Sequence, residues 1–177
     1  YGALTDNQGN NNVAVGYVAL AVNTTGASNV AVGSFALDAN TTGQLNVAIG
    51  YNALTAQNAD GYNTAVGANA MEATTSGAYN AAVGRMSLGS NTTGSNNVAV
   101  GYQALDGITT ANNNTALGFQ AQTSRTAGND NTAVGAYCMN AAATGASNTA
   151  LGESALDELT SGYENDAVGI NALFALP

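Results

Sequence analysis

Residues 97–105 read NVAVGYQAL, and the phrase that opens this stretch, Asn-x-Ala-(Val/Ile/Leu)-Gly, occurs ten times in the chain. Each copy begins 17 residues after the previous one, without insertion or deletion, at Asn12, Asn29, Asn46, Asn63, Asn80, Asn97, Asn114, Asn131, Asn148 and Asn165. A fixed period over ten copies is typical of structural units, here called rungs, that stack on their neighbours. The sequence therefore predicts a solenoid or fibre whose functional surface repeats along its length.

Each rung contains two short apolar segments. The first holds an invariant Ala, an aliphatic residue and an invariant Gly, and the second is a small-then-large pair such as Ala19-Leu20, with Gln122 as the polar member of the large column. Both segments are too short for helices and alternate with Gly and Asn-Thr-Thr-Gly clusters, which favour turns. We predict two short strands in each rung, roughly 12–15 and 18–20, closed by the turn 23–26. Ten parallel rungs about 4.8 Å apart give a rod on the order of 48 Å long.

The Asn that begins each rung predicts a ladder of side-chain hydrogen bonds. In stacked parallel strands, identical amide side chains lie one above the other and bond along the stack. The expected ladder runs through Asn46, Asn63, Asn80, Asn97 and Asn114.

The invariant Ala column suggests that the strand is packed on both faces. Ala14 and Val15 point to opposite faces of a strand, yet both columns are fixed. Symmetric association of identical chains is the simplest source of a second packed face, and the alternative is a flat solenoid in which Ala fits a narrow interior. We therefore predict a close-packed interface at Ala48, Ala65, Ala82, Ala99 and Ala116.

Composition excludes several classes of function. The formal charge is −9, there is no His, and the two cations are Arg85 and Arg125. Nucleic acids and anionic membranes require a basic footprint, so neither is an expected partner, and no apolar run approaches the ~20 residues of a membrane span. With no His, no nucleophile beside a base and no Cys/His metal spacing, we expect no enzyme activity, metal or cofactor. Cys138 lies in a column of small residues, which predicts a buried structural role.

The aromatic side chains that follow the invariant Gly are binding candidates. They share one outward column, where exposed Tyr could contact a glycan or a protein, although packing against the next rung or a neighbouring chain is the favoured alternative. This column holds Tyr17, Tyr51, Tyr102 and Phe119.

Three polar columns of the repeat raise further hypotheses about function. Carboxylates at Asp38, Glu72, Asp106 and Asp157 favour a solvated acidic face over a divalent-cation site. A column of Thr residues raises the hypothesis of ice binding; its members are Thr24, Thr41, Thr75, Thr92, Thr109, Thr126 and Thr160. The glycosylation pattern at Asn23, Asn40, Asn91 and Asn113 favours turn-forming Asn over a glycan acceptor.

The phrases NVAVGYVAL at 12–20, NVAIGYNAL at 46–54, NVAVGYQAL at 97–105 and NTALGFQA at 114–121, spaced by NTTG turns, resemble known repeats. They are similar to those of phage tail-fibre-like proteins and to the heads of trimeric autotransporter adhesins of the YadA type. The resemblance covers essentially the whole chain. It implies a homotrimer of parallel β-rolls around a common axis and a role in attachment to a cell, a host or a matrix.

These observations predict an all-β protein: one parallel β-solenoid domain, a β-roll or β-helix of ten 17-residue rungs, over residues 1–177. We expect it to be a fragment of a longer homotrimeric fibre, outside the cell, on a bacterial surface or a phage virion. Its expected function is structural and adhesive, as a shaft or head that supports attachment, and a cell-surface glycan or protein is the expected receptor. The alternative is a monomeric solenoid that binds a glycan, or ice, on one flat face.

Overall fold

The computed structural model describes residues 2–58, 61–124, 128–141, 144–158 and 160–174. These residues form one sheet of ten parallel strands in chain order, β1 to β10, with each strand beside the next. The invariant Ala of each strand pairs with the Ala 17 residues further on, as Ala82 does with Ala99. The prediction of an all-β parallel solenoid is confirmed. The strands are Val13–Val15, Val30–Val32, Val47–Ile49, Thr64–Val66, Ala81–Val83, Val98–Val100, Thr115–Leu117, Thr132–Val134, Thr149–Leu151 and Asp166–Val168.

The sheet contributes small residues to the narrow interior of the solenoid. Ala99 is fully buried at the centre of β6, whereas its neighbour Val98 is 39% exposed. The second apolar segment supplies the larger side chains of the core, such as Leu105, which is also fully buried. A narrow interior explains the invariant Ala, because a longer side chain would meet the opposite wall of the rung.

The assignment of the Ala column to an interface between chains was therefore wrong. Its predicted members have no solvent exposure within a single chain, so a neighbouring chain cannot touch them. They pack instead in the chain's own core, as the narrow-interior alternative proposed, and the residues on either side of each Ala face outward. The five residues that were predicted at an interface and lie in the core are Ala48, Ala65, Ala82, Ala99 and Ala116.

The second predicted strand is absent from the described rungs, and turns take its place. Phe35 and Leu37 have φ angles of 61° and 51°, in the left-handed region. Left-handed backbone costs roughly 1–2 kcal/mol for each L-residue. Stacking offsets this cost, because the Leu37 N–H donates to the Ala53 carbonyl at 3.1 Å and the Leu37 side chain is fully buried.

Glycine ends each strand because no other residue fits there. Gly101 has a φ of 133°, and a Cβ atom at this position would lie 2.3 Å from the carbonyl oxygen of Gly118 in the next rung. The obstructing atom belongs to the backbone and cannot rotate away. The bend at Gly101 thus lets consecutive rungs approach closely enough for backbone hydrogen bonding.

Candidate functional site

The Asn ladder lies inside the solenoid and holds its rungs together. The Asn97 Oδ1 atom accepts the backbone N–H of Asn114 at 2.9 Å, and the Asn97 Nδ2 group donates to the Ala111 carbonyl of its own rung at 2.9 Å. One amide therefore joins two rungs and also closes its own rung. The same backbone-to-amide bond links every consecutive pair of these asparagines from Asn12 to Asn165, so the predicted ladder is confirmed, including Asn46, Asn63 and Asn80.

The outward face of the sheet carries a continuous column of aliphatic side chains beside a second column of mixed composition. Its first column is the residue after the invariant Ala, which is aliphatic in all ten rungs and half-buried or exposed in each. The second column, the residue before that Ala, is Val, Thr or Ala until Asp166 in the last rung. We call these two columns the aliphatic ribbon; its first column is Val15, Val32, Ile49, Val66, Val83, Val100, Leu117, Val134, Leu151 and Val168.

The predicted aromatic column lies beside the ribbon, just past the Gly bend. Tyr17 and Tyr51 are 51% and 54% exposed, and each makes an edge-to-face contact with Phe35, with ring centroids 5.5 and 5.9 Å apart. Phe35 stands one residue later in its rung and was not among the predicted members. The aromatic residues thus pack across rungs while leaving much of their surface in solvent.

Three further aromatic residues and Arg85 form a strip over four consecutive rungs. Tyr102 and Phe119 are stacked with centroids 5.3 Å apart, and Phe119 contacts the edge of Tyr137 at 5.4 Å. The Arg85 guanidinium lies over the other side of this group, 5.6 Å from the Tyr102 ring centroid, and its Nη1 atom donates to the Tyr102 hydroxyl at 3.3 Å. We call Arg85, Tyr102, Phe119 and Tyr137 the aromatic strip.

The sequence pattern identified only part of the aromatic strip. Tyr102 and Phe119 share a column with Arg85, but Tyr137 stands one residue later in its rung. Tyr137 has a φ of 56°, and a left-handed residue turns its side chain in a direction that strand alternation does not predict. Another exposed pair, Tyr62 and Tyr79, stacks at 4.9 Å near the opposite edge of the ribbon.

The Thr-rich turns use their hydroxyl groups within the solenoid. The Thr92 Oγ1 atom donates to the Thr109 carbonyl of the next rung at 2.9 Å, and Thr24 makes the equivalent bond to Thr41. These hydroxyl protons are not available to an ice surface in this arrangement. Thr126 lies outside the described residues.

The Asn of each Asn-Thr-Thr turn is buried. Asn23, Asn40 and Asn91 have no solvent exposure, and the Asn91 Nδ2 group donates to the Gly94 carbonyl at 3.0 Å. These residues are turn-forming, as favoured from the sequence, and are inaccessible to a glycosyltransferase in the folded chain. Asn113 is exposed, and its Nδ2 group donates to Asp130.

The acidic column is spread along the rod. Burial raises the pKa of the Asp106 carboxyl above its ordinary value, and burial also raises the pKa of Asp38 and of Asp157. Among the described residues no three His, Cys, Asp or Glu side chains converge as metal ligands. Cys138, expected to be structural, is buried.

The comparisons with known proteins add no family to these features. Over the described ranges the surface has no pocket, and no helix there is long and apolar enough to span a membrane. No family model, curated protein or solved structure matches the chain. The chain is thus identified by its fold, a parallel β-solenoid built from 17-residue rungs.

Proposed function

We propose that this chain is a structural and adhesive fibre segment that assembles as a homotrimer and supports attachment to a host cell or another surface. The observation that carries the proposal is the aliphatic ribbon, whose first column stays aliphatic in all ten rungs although it faces outward. A column that faces only water has no reason to exclude polar residues. Burial against another molecule supplies that reason.

The size of the ribbon supports a partner along the whole rod. Its two columns lie about 7 Å apart and extend over about 48 Å, so with the width of their side chains they cover on the order of 500 Å². This area is comparable to the largest apolar patch of a typical monomeric protein, and such patches are often binding surfaces.

A second copy of the chain is the partner that fits the ribbon best. Two copies of the chain have the same rung spacing. When they lie parallel, a contact made at one rung is therefore repeated at every rung. The number three comes from the resemblance to tail-fibre-like and YadA-type repeats. In this assembly the rod would be the shaft or head of a longer extracellular fibre, carried by a bacterial surface or a phage virion.

Solution mass tests the assembly. We expect the purified chain at micromolar concentration to have three times the mass of one chain in sedimentation or light-scattering measurements. Val100→Asp places a charge in the ribbon and should shift the protein towards monomers. Ser90→Asp places the same charge at an exposed position outside the ribbon and should leave the mass unchanged.

A monomeric wild-type chain would exclude the trimer and favour the alternative of a solenoid that works alone. Equal masses for wild type and Val100→Asp would show that the ribbon is not the contact surface. Adhesion is tested separately, by binding of the trimer to bacterial cells. Absence of binding to any host cell would leave a purely structural role.

A further inference from the structure

We propose that the aromatic strip binds a carboxylate-bearing glycan, with the Arg85 guanidinium holding the carboxylate. This inference rests on the proposed attachment function and names the chemistry of the receptor. It starts from the charge of the chain. Arg85 is the only cation in the described part of a chain whose formal charge is −9.

Arg85 is exposed and makes no ion pair with any described carboxylate. In a chain with eleven acidic residues and two cations, an internal partner would be easy to supply. The guanidinium instead lies over the Tyr102 ring. Its positive charge therefore remains available to a group from outside the chain.

Contact with Tyr102 positions the guanidinium for a planar anion. The guanidinium lies 5.6 Å from the Tyr102 ring centroid, within the range of a cation–π contact, and the hydrogen bond to the Tyr102 hydroxyl uses one of its five N–H donors. The remaining donors lie in the plane of the group, where a carboxylate accepts two of them side by side. Holding the side chain in advance also lowers the entropy lost on binding.

The rest of the strip suits the hydroxyl groups of a sugar. Tyr102 contacts the guanidinium and stacks on Phe119, and the Phe119 and Tyr137 rings beside it are 45% and 39% exposed to a ligand. Aromatic edges carry partial positive charge, which attracts sugar oxygen atoms. Gln103 and Gln120 lie in the same rungs as these two rings and bond to each other at 2.8 Å, which adds amide groups to the surface.

The length of the strip fits a short oligosaccharide rather than a single sugar. Arg85 and Tyr137 stand three rungs apart, which corresponds to about 14 Å along the rod. Each strip offers one charged contact and is expected to bind weakly. Three copies in a trimer would bind a multivalent surface more strongly without any new contact.

The experiment measures binding of the intact chain to glycan-coated sensor tips by interferometry. The probes are sialyllactose and oligogalacturonate, which carry carboxylates, and lactose, which does not. We expect binding to at least one carboxylate probe at least about tenfold tighter than to lactose, the range of a charge-assisted pair. Arg85→Gln should remove most of this preference, and Phe119→Ala should weaken binding to a smaller extent.

Tyr79→Ala is the matched control, because it removes an exposed stacked ring outside the strip and should leave glycan binding unchanged. Equal binding to lactose and the acidic probes, binding to none of the three, or full binding by Arg85→Gln would each overturn the proposal. A change of mass in Arg85→Gln would overturn it as well, because Arg85 would then serve contact between chains. A wild-type trimer that ignores the acidic probes refutes this inference and leaves the fibre proposal intact.

Discussion

Replacing Asn97 with alanine should destabilise the solenoid through the groups that it leaves behind. The side chain is fully buried, accepts the backbone N–H of Asn114 at 2.9 Å and donates to the Ala111 carbonyl at 2.9 Å. The substitution leaves one donor and one acceptor without their partner. A buried polar group without a partner costs about 1–3 kcal/mol, so the free energy of unfolding should fall by about 2–6 kcal/mol.

Urea denaturation followed by circular dichroism measures this change. Asn12→Ala is the matched comparison, because Asn12 makes the same two types of bond, to Asn29 at 2.8 Å and to Gly26 at 2.8 Å, but is only half-buried. Water can replace the lost bonds at Asn12, so we expect a clearly smaller effect there. Ser90→Ala, at an exposed position, should change the free energy of unfolding by less than about 0.5 kcal/mol.

Two results would refute this reasoning. A loss below about 0.5 kcal/mol for Asn97→Ala would mean that the ladder contributes almost nothing. Equal losses for Asn97→Ala and Asn12→Ala would mean that burial does not set the cost.

Three further predictions test the core and the acidic column. Ala99→Leu should lower the free energy of unfolding by at least about 1–3 kcal/mol through overpacking, while Val98→Leu on the outward face should be tolerated; equal melting temperatures would contradict the assignment of faces. Gln122→Leu should raise the free energy of unfolding by about 1–3 kcal/mol, because the buried Gln122 Oε1 atom has no hydrogen-bond partner; a fall in urea denaturation would contradict this. The raised pKa of Asp106 means that the folded chain binds this proton more tightly than the unfolded chain, so stability falls as pH rises from the ordinary carboxyl pKa through the folded one. Asp106→Asn should flatten that fall in melting temperature, and an unchanged profile would exclude the contribution.

Periodicity predicted the parts of the fold that depend on stacking alone. The spacing from Asn97 to Asn114 was enough to predict parallel rungs and the amide ladder, because identical residues at a fixed period must lie above one another. The composition of the Asn-Thr-Thr-Gly clusters was enough to predict that their Asn residues form turns. These features follow from register or from local composition and need no knowledge of the path of the chain within a rung.

The path within a rung could not be predicted in the same way. Leu37 in the left-handed region contradicts local preference, and that conformation is made favourable by hydrogen bonding to the adjacent rung and by burial of the side chain. The Ala column was assigned to an interface because the path of the chain within a rung was not known. Fixed residues on both strand faces do not reveal which face points into the core. Arg85 and Tyr137 were missed as members of one surface, since their contacts with Tyr102 and Phe119 depend on side-chain directions set by the bend and turns.

The invariant Gly column gives every rung of the solenoid the same height. Gly101 holds its rung against the backbone of the next rung, so every rung has the same height whatever side chains it carries outside. Duplicating or deleting a whole rung would change the length of the rod by about 4.8 Å and leave its cross-section unchanged. Loss of a single residue would instead leave one rung a residue short and disturb its register with the rungs on either side. The length of the rod can therefore evolve in steps of one complete rung, independently of the side chains on its outer surface.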